Sequence, residues 1–149
     1  MTRQFPLQSL LDLSQLRLDE ATRQLGELIS GEQEASQRLT LLSQYRAEYQ
    51  ERFVTAAKNG LTPKEWQNFR NFLQKLDDAV NQAGLMASQS KQRTAAGQQE
   101  WLAKRGKVKA FDTLSQRHQT RLASADHRRE QKDSDEHTAR RFGHAEEDE

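Results

Sequence analysis

Alternating steps of three and four residues from Leu11 meet Leu11, Ser14, Leu18, Ala21, Leu25, Leu28, Glu32, Ala35, Leu39, Leu42, Arg46, Tyr49, Phe53 and Ala56. Only Ser14, Glu32 and Arg46 interrupt this apolar series. A period of about 3.5 residues held in one phase keeps a single stripe facing a partner helix, whereas a strand requires period two. The same stepping from Trp66 gives a second seam through Phe69, Leu73, Leu76, Val80, Ala83 and Ala87, which continues through Trp101, Val108, Phe111, His118 and Leu122 to Ala125. Small residues between Ala83 and Gly97 bury little area, so this stretch is expected to be the softest of the pair.

Between the seams lies Lys58-Asn59-Gly60-Leu61-Thr62-Pro63-Lys64-Glu65. Gly60 suits the left-handed conformation that ends a helix, and Thr62, Pro63 and Glu65 supply an N-cap, a first-turn proline and a capping-box acid. So short a connection makes the flanking helices antiparallel neighbours. The expected fold is all-α, an antiparallel two-helix coiled-coil hairpin over residues 1–130, with helix 1 about 6–58, a turn about 59–62 and helix 2 about 63–128. Residues 131–149 carry many charges and few apolar side chains, and are expected to form a frayed or disordered tail. Reversal near residue 61 pairs positions whose numbers add to about 122, which sets Phe53 against Phe69, Leu39 against Ala83, Leu25 against Gly97 and Ala21 against Trp101. Large residues then face small ones, as close packing favours.

Composition agrees with a narrow seam rather than a globule: 34% of residues are hydrophobic and the mean hydropathy is -1.04. Cysteine is absent, which excludes disulfides, thiolate metal sites and a cysteine nucleophile. Neither a membrane span nor the apolar run of a secretory signal is evident, so a cytoplasmic location is expected. The net charge of +1 conceals a basic stretch, with eleven Lys or Arg against four acids between Lys91 and Lys132, and an acidic tip at Glu146-Glu147-Asp148-Glu149.

Catalytic chemistry finds no setting. His118, His127, His137 and His144 lack the i, i+3 or i+4 spacing by which helical histidines share a metal, and Asp133-Ser134-Asp135-Glu136 is too short for a calcium loop. The scattered glycines form no phosphate-binding loop, and Asp77-Asp78 lie on a helix face without a cleft to shift their acidity. No cofactor, metal or enzymatic activity is expected. Acids interspersed among the lysines, with no stacking aromatics beside them, favour an acidic protein surface over nucleic acid as partner of the basic arm. Aromatic residues concentrate beside the turn instead: Tyr45, Tyr49, Phe53, Trp66, Phe69 and Phe72. Tyr45 and Phe72 flank the seam, where exposed rings either thicken the core or anchor a partner.

The spacing Phe5-x-Leu7-x-x-Leu10-Leu11-x-Leu13, the segment Leu39-x-x-Leu42-x-x-Tyr45-x-x-Glu48-Tyr49 and Trp66-x-x-Phe69-x-x-Phe72-Leu73-x-x-Leu76 together resemble the FliJ family of flagellar export proteins. The resemblance implies a cytoplasmic component, peripheral to the inner-membrane type III export apparatus, that acts as a stalk in the export ATPase ring. It also implies binding to the cytoplasmic domain of the export gate and to export chaperones. By position the family's gate-binding surface falls on Arg38, Leu42, Tyr45, Tyr49, Phe72, Leu76, Ala79 and Ala83, where Arg38 and Ala83 depart from the family's glutamine and histidine. The basic residues Lys104, Arg105, Lys107 and Lys109 are the expected contacts to acidic loops of the ring.

Two other readings remain at this level, a stalk of a virulence-type secretion system and a generic coiled-coil spacer that self-associates through its seam. A chain folded back on itself is monomeric when alone; a spacer is not. Cysteines placed at Ala35 and Ala87 are expected to crosslink within one chain under mild oxidation, and crosslinks formed only between chains would overturn the register.

Overall fold

The computed structural model describes residues 4–147, with backbone alone described for residues 144–147. Its described residues form two helices, α1 (Gln8–Asn59) and α2 (Pro63–Glu147), packed antiparallel as a hairpin. The turn is built as its residues dictate. Gly60 has φ 95°, the left-handed region that disfavours a side chain, and its amide bonds the Ala57 carbonyl at 3.3 Å. The Thr62 hydroxyl accepts the Glu65 amide at 3.2 Å, and the Thr62 carbonyl accepts the Trp66 amide at 2.9 Å, so Thr62 caps α2.

Two compact units divide the chain: Asp19–Ala103, which holds the turn, and Met1–Leu18 with Lys104–Glu149, which holds the chain ends. In the turn unit the expected register is present. Phe53 and Phe69 stack with ring centroids 5.5 Å apart, and the Thr94 hydroxyl crosses the interface to the Leu28 carbonyl at 3.2 Å. A Cβ built on Gly97 would lie 3.7 Å from Leu25 Cδ1 and 2.5 Å from Leu28 Cδ1, so the helices close around that glycine. Trp101 donates its indole N–H to the Thr22 hydroxyl at 2.9 Å, beside buried Ala21. Arg46, a polar interruption of the seam, reaches Asp77 across the interface at 2.7 Å. In the unit of the chain ends the Phe5 ring meets His118 at 5.7 Å.

Every seam position from Leu11 to Ala56 is buried or half-buried, as are those of α2 from Phe69 to Leu122. The ends differ. Trp66 is 43% exposed, because the last layer of a coil has nothing stacked above it. Ala125 is exposed while Asp126 is half-buried. The most enclosed side chains in the centre are small, Ala83 at 4% and Ala87 at 5%, since small residues let two backbones approach closely. Burial is nonetheless shallow: the accessible surface is 12013 Å², against about 7,800 Å² for a compact protein of this mass.

The tail requires a correction. α2 does not end near residue 128 but runs on to Glu147, although residues 127–143 are exposed throughout. Charge alone does not stop a helix: Arg, Lys, Glu, Gln and Ala all favour it, and no proline follows Pro63. Glu136 stands four residues before Arg140, a spacing that supports an isolated helix. Of the acidic tip, Asp148 and Glu149 lie outside the described residues, as do the side chains of His144, Glu146 and Glu147.

On the exposed face of α1, Arg23 bonds both Glu20 and Glu27. The hydrogen bond from Arg23 holds the Glu20 carboxyl below its ordinary range, so its contribution is present above the unfolded pKa and fades as pH falls through the lower folded value. Solvent screening keeps that contribution small.

Gly26 and Gly31 have nothing within 4 Å of a built Cβ. Gly26→Ala and Gly31→Ala are each expected to stabilise the hairpin by about 0.5–1 kcal/mol through helix propensity. Gly97→Ala is expected to gain less, because its methyl must displace Leu28. Urea unfolding of the three variants checks the order.

Candidate functional site

The aromatic residues beside the turn form one chain of contacts across the two helices. Phe53 meets Trp66 at 5.0 Å, Tyr49 meets Phe69 at 5.4 Å and Phe72 at 4.5 Å, and Tyr45 meets Phe72 edge-on at 6.3 Å with an interplanar angle of 89°. Tyr45 ends the series and is 41% exposed. Edge-to-face contact fixes its ring against Phe72 while leaving the rest open.

The remaining candidate gate contacts divide by depth. Leu42, Tyr49, Phe72 and Ala79 are half-buried, Arg38 is exposed, and Leu76 and Ala83 are buried. Leu76 and Ala83 are thus packed within the seam. All of these residues belong to the turn unit.

The four basic residues of α2 in the other unit do not form a single patch. Lys104 and Lys107 line a groove of about 310 Å³ together with Arg17 of α1. Arg105 and Lys109, spaced i, i+4, are outside it. The groove floor holds Ser14 and Phe111; its walls include Leu10 and Leu13, 46% and 42% exposed. Ser14 is buried and bonds the Leu11 carbonyl at 2.7 Å. Sequence reasoning named Lys104 and Lys107, with Arg105 and Lys109, as candidate ring contacts and did not name Arg17, Leu10 or Leu13 as site residues. The available signal was position: residues 10, 13 and 17 flank the seam positions 11, 14 and 18 on one side.

Among the described residues no cluster of His, Asp and Glu is placed to hold a metal ion, and no helix is long and apolar enough to cross a membrane. Leu76→Ala is expected to cost about 2 kcal/mol or more, as removal of a buried leucine does. Tyr45→Ala is expected to cost less than about 1 kcal/mol, because its ring is largely outside the seam. Chemical denaturation of both variants tests this division between buried seam and exposed anchor.

The family model described as "Flagellar FliJ protein" matches residues 3–147. A protein named "Flagellar FliJ protein" from Salmonella typhi is 32% identical over 140 residues, covering 94% of this chain and 95% of that protein. One of the same name from Escherichia coli (strain K12) is 31% identical over 134 residues, covering 90% and 91%. Since the match runs through both helices and the turn between them, the chain belongs to the FliJ family of flagellar proteins, which are not enzymes.

Proposed function

We propose that this chain is a stalk-like component of the flagellar type III export apparatus, acting in the cytoplasm beside the inner membrane. The turn unit binds the cytoplasmic domain of the export gate through Tyr45 and Phe72, together with Leu42, Tyr49, Leu76 and Ala79. Arg38 and Ala83 mark the edge of that surface. The unit of the chain ends contacts the export ATPase ring through Lys104, Arg105, Lys107 and Lys109, and the nucleotide chemistry belongs to the ring. Export chaperones are further partners, and the chain alone is a monomer.

The observation that carries this reading is the Tyr45–Phe72 pair: a large ring held at a fixed angle yet 41% exposed, in a chain of the flagellar FliJ family. Exposed aromatics over a rigid support are favoured interface anchors. Tyr45→Ala and Phe72→Ala are each expected to weaken binding of the isolated gate domain at least about tenfold with helicity unchanged. Unaltered binding by both variants overturns the gate reading. Lys104→Ala with Lys107→Ala is expected to reduce stimulation of a flagellar export ATPase and to leave gate binding intact.

A further inference from the structure

We propose that the groove between α1 and α2 in the unit of the chain ends is a docking site for one amphipathic helix of another protein, with apolar residues along one face and carboxylates at one end. Leu10 and Leu13 stand open on its walls, while Phe111 and buried Ser14 lie at its floor. Leu7, just before α1, and Leu114 of α2 are further exposed leucines of this unit. Leucines at i and i+3 beside a recessed floor are what a third helix packs against, its side chains entering the trough between the first two.

Charge selects the occupant. The polar lining other than Ser14 is Arg17, Lys104 and Lys107, and none of these cations has a carboxylate partner among the described residues. Among the other α1 cations Arg23 pairs with Glu20 and Glu27 and Arg46 with Asp77, whereas Arg38, Arg52 and Lys58 have no such partner among the described residues. A second copy docked about a two-fold axis would bring this cationic lining against itself, a like-charge juxtaposition that disfavours self-association. A bilayer surface is flat and cannot fill a recessed trough. An incoming helix bearing carboxylates satisfies both the leucines and the cations.

The inference shares Lys104 and Lys107 with the ring-contact reading, but Leu10 and Leu13 belong to the groove alone. The probe is a fluorescent, hydrocarbon-stapled peptide with leucines at i, i+3 and i+7 and glutamates at one end, titrated with the full chain. Saturable one-to-one binding is expected, weakened at least about tenfold both by Leu10→Ser with Leu13→Ser and by Lys104→Glu with Lys107→Glu, at unchanged helicity. A peptide with lysines in place of the glutamates is expected to bind the charge-reversed variant and not the natural chain. Peptide binding that is absent, or indifferent to these substitutions, overturns the groove as a helix site. So does leucine-dependent self-association in sedimentation, or leucine-dependent binding to vesicles containing phosphatidylglycerol without peptide binding. If peptide binding fails while ATPase stimulation still depends on Lys104 and Lys107, the groove falls and the ring-contact reading stands.

Discussion

One stripe of side chains on each helix, meeting the other in antiparallel register, organises everything else in this chain. Most stability of a helix in water comes from packing its apolar stripe. The seam is narrow, so it tolerates few large residues facing each other. It alternates instead, with Ala83 and Ala87 enclosed, Gly97 closed upon by Leu25 and Leu28, and aromatic rings gathered where the turn fixes the helices most firmly. Polar interruptions are absorbed by local chemistry. Ser14 returns its hydroxyl proton to the preceding turn, Thr94 spans the interface, and Arg46 reaches out of the seam to Asp77.

A two-helix interface offers no enclosed volume, and among the described residues no side chain is wholly withdrawn from solvent. Functional surfaces on such a fold are therefore the margins of the seam, where a side chain is half committed to packing and half available. Tyr45 and Phe72 are margin residues of this kind near the turn, and Leu10, Leu13 and Lys107 are margin residues in the other unit. The same residues that stiffen the hairpin shape what it presents. Leu76 and Ala83 are buried in the seam, whereas Tyr45 is 41% exposed.

The family resemblance and the heptads are independent lines that meet at the turn. The capping residues Gly60, Thr62 and Glu65 are local chemistry, readable from any chain, and the family match runs through the aromatic residues on either side of them.

The sequence by itself determined the fold class, the turn and the register, because a period near 3.5 residues, a left-handed glycine and an N-cap are local signals that add up along the chain. It also located the aromatic end and two of the groove cations. The end of α2 was not legible, since a charged, apolar-poor segment satisfies both a solvated helix and a disordered tail, and only the folded chain decides between them. The separation of Lys104 and Lys107 from Arg105 and Lys109, and the meeting of the first two with Arg17, Leu10 and Leu13, likewise belong to tertiary structure. These contacts join residues about ninety positions apart, and which margins face each other depends on the rotation of two helices about their shared seam, to which no local pattern is sensitive.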